Sequence, residues 1–231
     1  MRYLRVTVNE ANEVTLKVPY RVSEAIATEY LKQQGDWLLR VLERLPRRWS
    51  LQEYLRNKRW ISAMGEHFQL NISEYAGRTR VQLDRVDKSA TLWLDRRLPI
   101  EDGLREGLWA AAKLVLPSRV RELARVQGLP VARISVRDQR TRWGSCSESG
   151  NISLNWRLVL LEPSLHDHVI WHELAHLRHM NHSKAYWSFL EKLDPQAQQH
   201  DVELTRVSSV MMRLGRQACR PFEKPPLLGR D

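Results

Sequence analysis

Cysteine is scarce in this chain of 231 residues. Its two cysteines, Cys146 and Cys219, stand far apart, and neither belongs to a C-x-x-C pair. Disulfide-stabilised secreted domains need several cysteines, and zinc sites built from thiolates need closely spaced ones. The sequence therefore predicts neither a disulfide framework nor a thiolate zinc site.

Long apolar runs and a leader-like N-terminus are also missing. No run approaches the roughly 18 apolar residues of a membrane span. The first ten residues carry charges at Arg2, Arg5 and Glu10, where a secretory signal would need an apolar stretch. We therefore expect a cytoplasmic protein without a membrane association.

The phosphate-binding pattern G-x-x-x-x-G-K-[ST] does not occur either, so no P-loop is predicted.

Positive charge, in contrast, is abundant and comes mainly from arginine. The formal net charge is +10, and 29 of the 37 basic residues are arginines. Arginine pairs in a bidentate manner with phosphate and carboxylate groups, so this surface could attract nucleic acid or a nucleotide. The arginines are dispersed along the chain and form no single basic arm, and general solubility is the alternative interpretation.

Histidine is concentrated in one segment. Six of the eight histidines fall between positions 166 and 182, and residues 172–176 read His-Glu-Leu-Ala-His. Residues four apart lie on the same face of an α-helix, so His172 and His176 could chelate one ion. Glu173 would lie beside this face, where a carboxylate can act as general base on a water molecule at the metal.

A third ligand can come from His182, six residues after His176. This requires that the helix ends soon after His176 and that the chain folds back. Three protein ligands leave a fourth position open, which is typical of catalytic and not structural zinc sites. The predicted cofactor is therefore Zn²⁺.

The helix that would carry these residues is predicted at about 164–179. Ser164 and Asp167 resemble a capping box at its start. An apolar stripe at helical spacing, which can face the core, consists of Ile170, Leu174 and Leu177.

Three further histidines of the segment have separate interpretations. His179 could cap the end of the helix or stabilise a reaction intermediate. His168, one turn before His172, could line the cleft. His166 is expected to lie in solvent.

The first hundred residues are predicted to be rich in antiparallel β-structure. Strands at 2–8 and 13–18 would form a hairpin around residues 9–12. A helix capped by Ser23 would run to about Leu45, weakened by Gly35, and Ser50 would cap a short helix. The next strands, expected as an antiparallel meander, are 66–73, 78–84 and 90–95.

The remainder of the chain mixes helices and strands. A long helix is predicted from Asp102 to Gln127, followed by Gly128 as its cap. The later predicted elements are strands at 133–137 and 151–156, a helix at 184–193 capped by Ser183, and a helix at 196–214. The predicted domains are an N-terminal region of residues 1–99, a catalytic domain of residues 100–217 and a flexible tail of residues 218–231.

Three motifs resemble those of a known family. They are Arg-Thr-Arg-Trp-Gly-Ser-Cys at 140–146, Asn-Ile-Ser-Leu-Asn-Trp-Arg-Leu at 151–158, and His-Glu-Leu-Ala-His with Asn-His-Ser-Lys-Ala-Tyr-Trp within 172–187. In this order and spacing they resemble the YgjP-like predicted metallopeptidases, relatives of the SprT-like and WLM zinc proteases. The resemblance is strongest from about residue 100 to 215.

The resemblance implies an α+β fold with a zincin-like metallopeptidase domain. It implies zinc held by His172, His176 and His182, with Glu173 as the base, and it places the motif at 140–146 near the cleft. The spacing of the three histidines equals that of the metzincins, but His179 stands where metzincins have a glycine.

The leading functional hypothesis is zinc-dependent hydrolysis of a peptide or protein substrate. A donor besides zinc is needed for the developing oxyanion, and the candidates are Arg142, His179 and Tyr186. Arg142 and Trp143 could instead form a structural corner, with the arginine bonded to carbonyls and the tryptophan packed. Cys146 is expected to be a packed thiol, because the motif already provides a water nucleophile.

Two alternative functions stay open from the sequence. The same metal site could hydrolyse a phosphoanhydride, as in a nucleotide pyrophosphatase, with arginines binding the phosphates. The chain could also be a nucleic-acid-associated protein with structural zinc, although a closed structural site has no use for Glu173 as a base.

Overall fold

A computed structural model describes residues 3–8, 14–44 and 50–216 of the chain. The contacts between residues divide the chain into two compact units. The described residues up to 44 belong to the first unit, and Ser50–Gly215 form the second. The predicted hairpin turn at 9–12, the helix end at Leu45, Cys219 and the predicted tail lie outside the described residues.

The first unit contains a β-hairpin, as the sequence predicts, and two helices where the sequence predicts one. Strands β1 and β2 pair antiparallel, and the side chain of Ser23 accepts a hydrogen bond from the Ile26 N–H at the start of α1. The predicted single helix is divided at Gln34, directly before Gly35, because glycine is a poor helix former. The bounds are β1 Arg5–Val8, β2 Val14–Lys17, α1 Glu24–Gln33 and α2 Gly35–Arg44.

The second unit begins with a short helix and a four-stranded sheet. The side chain of Ser50 accepts a hydrogen bond from the Glu53 N–H (2.9 Å), which confirms the predicted cap. The bounds are α3 Leu51–Asn57, β3 Trp60–Ala63, β4 Glu66–Tyr75, β5 Arg80–Asp84 and β6 Ser89–Asp95.

The predicted antiparallel meander is wrong, because the strand order in this sheet is β3-β4-β6-β5. β4 pairs antiparallel with β3 and parallel with β6, and β5 lies at the edge. The buried face of β6, formed by Ala90, Leu92 and Leu94, favours a central position, whereas the more exposed β5 suits an edge. Strand β3 was not predicted from the sequence.

Long helix α4 (Ile100–Val126) packs against this sheet, mainly on β6 and β5. Gly107 allows the close approach, because a Cβ there would lie only 3.2 Å from a methyl carbon of Leu92. The helix runs through Pro117 and ends before Gly128, whose positive φ of 62° matches the predicted cap.

The remaining elements surround the predicted metal helix. A three-stranded sheet has the order β7-β9-β8, and a short 3₁₀ helix follows β9 directly. The bounds are β7 Arg133–Arg137, β8 Gly144–Cys146, β9 Asn151–Asn155, the 3₁₀ helix Trp156–Leu160, α5 Pro163–Ala175, α6 Lys184–Leu193 and α7 Ala197–Met211. The α+β class is thereby confirmed.

Helix α5 is central, with contacts to α4, α6, α7, β3 and β8. It begins at Pro163, a residue suited to the first helical position, and no side chain caps it. The predicted capping box is therefore wrong, because the Asp167 carboxylate instead binds Arg119 of α4. The predicted apolar stripe does enter the core, with Ile170 and Leu174 fully buried.

The predicted domain boundary at residue 99 falls inside the second unit, and the catalytic domain of residues 100–217 stays a prediction. No helix among the described residues combines the length and apolar character needed to cross a bilayer.

Candidate metal centre

The end of α5 determines where the third predicted ligand can lie. The helix ends at Ala175, four residues earlier than predicted, and continues as a tight turn. In this turn the Leu177 N–H bonds the Leu174 carbonyl and the Arg178 N–H bonds the Ala175 carbonyl, both at 3.1 Å. The chain then folds back towards the histidine face of α5, which meets the condition set for His182.

His172, His176 and His182 form one cluster at this point. One ring nitrogen from each lies within 4.8 Å of the other two. The Nε2 atoms of His172 and His182 are 3.3 Å apart. The ring centre of His176 lies 5.0 Å from that of His172 and 4.8 Å from that of His182.

The spacing of the His172 and His182 nitrogens fits a tetrahedral metal ion. Two nitrogens that each lie about 2.05 Å from such an ion are about 3.3 Å apart, as His172 and His182 are. The Nδ1 of His176 lies 3.0 Å from the His179 carbonyl. A carbonyl only accepts, so His176 donates from Nδ1 and keeps its Nε2 lone pair for a metal.

Electrostatics also favour neutral imidazoles in the cluster. Burial, followed by the neighbouring His176 and His182, lowers the pKa of His172 to about 3. Burial likewise lowers the pKa of His176, although its hydrogen bond to His179 acts in the opposite direction. Metal ligands must be deprotonated, so both groups are prepared to bind a cation at neutral pH.

Tyr186 forms the back wall of the cluster. Its side chain is fully buried, and its ring centre lies 5.5, 4.8 and 4.7 Å from those of His172, His176 and His182. Its hydroxyl donates a hydrogen bond to the His172 carbonyl (3.3 Å). The side chain of Ser183, the N-cap of α6, accepts from the Tyr186 N–H, and this cap was predicted from the sequence.

Glu173 lies beside the cluster and against strand β8. It is 4% exposed, and burial raises the pKa of its carboxyl to about 8, although the Arg142 charge lowers it. A Cβ added at Gly144 would collide with Oε1 of Glu173, so the glycine of the motif at 140–146 allows the strand to lie on the carboxylate. The family resemblance implied that this motif lies near the cleft, but the sequence alone offers no reason for the glycine.

The loop before β8 is held by Asn155. Its side-chain amide donates to the carbonyls of Gln139 (2.9 Å) and Arg142 (3.2 Å), and its backbone N–H bonds the Trp143 carbonyl (2.7 Å). Trp143 is 8% exposed and donates from Nε1 to the Ser208 hydroxyl (2.7 Å). Trp143 is thus a structural residue, whereas the Arg142 side chain is exposed and acts on Glu173 by its charge.

His179 and Cys146 make contacts of their own. His179 caps the turn through its backbone N–H, which bonds the Ala175 carbonyl (3.1 Å), while its ring lies edge-on to Phe189. The Cys146 thiol is partly buried, and burial, followed by the charge of Glu173, raises its pKa to about 11. This agrees with the expected packed thiol.

Two histidines lie where the sequence did not predict them. His166 is fully buried and bonds the Asp167 carboxylate (3.0 Å), so the expectation that it lies in solvent is wrong. His168 is 1% exposed and bonds the Asp194 carboxylate (2.7 Å), which His200 also contacts. Asp194 and His200 could not be predicted as its partners, because they are 26 and 32 positions from His168 and form no local motif with it.

Three convergent imidazoles beside a buried carboxylate are a donor set suited to a metal-dependent hydrolase. The chain belongs to the YgjP-like metallopeptidase domain family, whose profile matches residues 2–207. The predicted family is thereby confirmed, and the chain has a metallopeptidase domain.

Two further comparisons accompany this result. A solved structure described as the metallopeptidase zymogen of Pyrococcus abyssi abylysin is similar at 24% identity with a TM-score of 0.35. The match covers 38% of this chain and 91% of that chain. No curated protein matches the chain significantly.

Proposed function

We propose that the chain is a zinc metallopeptidase in which His172, His176 and His182 hold the ion and Glu173 is the general base. The observation that carries this proposal is the convergence of the three ring nitrogens, with a 3.3 Å spacing between two Nε2 atoms, beside a carboxylate that is 4% exposed. Family membership supports the peptidase reaction ahead of phosphoanhydride hydrolysis or a purely structural zinc role.

A zinc ion bound there would acidify a water molecule and polarise the scissile carbonyl. Glu173 accepts the proton of the attacking water and delivers it to the leaving amine. Its raised pKa of about 8 in the metal-free protein suits both accepting and donating a proton near neutral pH, and a bound cation would lower this value.

Arg142 is the best placed of the three candidates for stabilising the oxyanion. Its side chain is exposed, and its charge acts on the Glu173 carboxyl. The Tyr186 hydroxyl already donates to the His172 carbonyl, and the His179 ring contacts Phe189. We therefore assign Tyr186 to positioning His172, and His179 to orienting His176 through its carbonyl.

Strand β8 offers a binding edge for an extended substrate. It is an edge strand of its sheet, and among the described residues no strand pairs with its other side. An extended peptide could add to this edge through backbone hydrogen bonds and would then pass over Glu173, which touches Gly144.

Metal analysis and turnover test the proposal together. The purified protein should hold about one zinc ion per chain, and His172→Ala and His176→Ala should lose it. His67→Ala, which removes a half-exposed histidine on β4, is the matched control and should keep the metal. Full zinc retention in both ligand variants would refute the ligand assignment.

The base is tested separately with Glu173→Gln. This variant should keep zinc and fold, but lose turnover by about 10²-fold or more. A panel of peptides and nucleoside triphosphates, with and without DNA, identifies the substrate class. Undiminished turnover by zinc-loaded Glu173→Gln would rule out the base, and turnover of triphosphates alone would rule out the peptidase.

A further inference from the structure

A second cluster of ionisable side chains lies one helical turn from the candidate metal centre. Oδ2 of Asp194 lies 2.7 Å from Nδ1 of His168 and 2.8 Å from Nδ1 of His200. His168 and Asp194 are buried, and the His200 side chain is 13% exposed. We call these three residues the Asp194 clamp.

The composition of the clamp, two histidines and a carboxylate, would suit a transition metal, but its spacing does not. Two ligands of a tetrahedral ion are about 3.3 Å apart, as His172 and His182 are. The distances of 2.7 and 2.8 Å in the clamp are those of charge-assisted hydrogen bonds.

The protonation of the rings also distinguishes the clamp from a metal site. Burial raises the pKa of Asp194, but hydrogen bonds from His200 and His168 outweigh this and hold the pKa below its usual value. The ionised carboxylate only accepts, so both rings donate from Nδ1. A metal at Nδ1 would move the His168 proton to Nε2, a buried atom without a hydrogen-bond partner in the part of the chain described. An unsatisfied buried donor is unfavourable.

The clamp connects the elements that shape the candidate metal centre. His168 is one turn before His172 in α5, and their ring centres are 6.4 Å apart. Asp194 ends α6, the helix whose Tyr186 contacts all three candidate ligand rings. His200 belongs to α7, which also packs against α5.

We propose that the Asp194 clamp is a metal-free positioning device that holds α6 and α7 against α5 and so strengthens metal binding by His172, His176 and His182. The proposal rests on the proposed metal site. Because α6 directly follows the exposed His182, its docking determines where this ligand and Tyr186 lie relative to the helix that carries His172.

Zinc affinity, measured by competition with a chromophoric chelator, tests the role of the clamp. Asp194→Ala and His200→Ala should each weaken zinc binding about tenfold, as loss of an outer-shell contact does, with one zinc still bound at saturation. Asp194→Asn keeps an acceptor oxygen for the rings and should recover most of the affinity. His200→Ala removes a partly exposed ring and carries the test if Asp194→Ala fails to fold.

Asp95→Ala is the matched control for loss of stability alone. Asp95 is a similarly buried carboxylate, 8% exposed, that bonds Arg97 at the end of β6. Its removal should lower the unfolding temperature of the metal-free protein and leave zinc affinity unchanged. Equal zinc affinity in the wild type, Asp194→Ala and His200→Ala would reduce the clamp to a structural contact and overturn the proposal.

Zinc stoichiometry tests the absence of metal from the clamp. The His172→Ala/His176→Ala double variant should bind no zinc. If the double variant keeps one zinc ion, and adding Asp194→Ala to it removes that ion, then the cluster is a metal site and the proposal is overturned. A wild type that binds no zinc at all would instead refute the proposed function itself.

Discussion

Glu173 and Gly144 bring the two motifs that surround the candidate centre into contact. The carboxylate fills the space that any other side chain at position 144 would need. Glycine is needed at position 144 because a Cβ would not fit there. Its backbone conformation is not the reason, since Gly144 is not among the residues of positive φ.

Gly144→Ala should therefore displace Glu173 and lower turnover about tenfold or more, because a base must lie within hydrogen-bond reach of its proton. Zinc content should stay near one per chain. Gly103→Ala, where a Cβ would meet Leu94 at an ordinary 3.4 Å, is the control and should keep turnover. Normal turnover by Gly144→Ala would mean that Glu173 is not held by this contact.

Cys146 should be a slow-reacting thiol. Burial, followed by the Glu173 charge, raises its pKa to about 11, and the thiolate is the reactive form. In a Cys219→Ser background, iodoacetamide should modify Cys146 much more slowly at pH 8 than a free cysteine of pKa about 8.5, with the rate still rising above pH 10. A rate that levels off near pH 8 would contradict the raised pKa.

At the scale of elements, α5 is fixed on two sides. Arg119 of α4 binds Asp167 through Nε (3.1 Å) and Nη2, and His166 bonds the same carboxylate. The tip of the β3–β4 hairpin covers this pair, because a Cβ at Gly65 would meet both Arg119 and Asp167. On the other side, the Asp194 clamp is proposed to hold α6 and α7.

The Asp167 contact should appear in the acid dependence of stability. Burial raises the pKa of Asp167, but hydrogen bonds from His166 and Arg119 outweigh it, so the folded pKa lies below the ordinary value. The ionised carboxylate therefore stabilises the fold above about pH 4, and this contribution is lost as pH falls through the lowered folded pKa.

In urea unfolding of the metal-free protein, Asp167→Asn should cost about 2 kcal/mol at pH 7, and the difference from wild type should shrink towards pH 3. Glu66→Gln, which removes an exposed ion pair with Lys88, should change stability by less than about 1 kcal/mol. A difference that grows on acidification would show that the sign of the pKa shift is wrong.

At the scale of the whole second unit, Arg157 joins distant parts of the chain. Its side chain is fully buried, donates from Nε to the Leu214 carbonyl (2.7 Å), and pairs with Asp138. The guanidinium also lies over the Trp156 ring, 4.5 Å from its centre. One side chain thus connects the segment after β7, the 3₁₀ helix and the end of the unit.

Arg157→Met keeps the volume of the side chain but leaves these acceptors without their donor. It should lower the free energy of unfolding by about 3 kcal/mol, measured in urea. Arg97→Met removes an exposed arginine that also pairs with an aspartate and should cost less than about 1 kcal/mol. Equal effects of the two substitutions would show that burial of Arg157 adds nothing to its contribution.

Local sequence determined much of this protein. The caps at Ser23, Ser50 and Ser183 depend on residues three positions away, so they can be predicted without knowing the fold. The same holds for the spacing of His172 and His176, because four residues on a helix always return to the same face. The motifs that surround this spacing were also sufficient to predict the family.

Tertiary structure decided the features that depend on distant residues. Four such features leave no local pattern in the sequence. They are the parallel pairing of β4 with β6, the burial of His166, the contact of Gly144 with Glu173, and the hydrogen bonds of His168 and His200 to Asp194. Each depends on which apolar faces pack together. That packing brings together residues that are 20 or more positions apart in the sequence. Sequence spacing therefore predicted the candidate ligands, while the packing of α5 on its neighbours determined what surrounds and holds them.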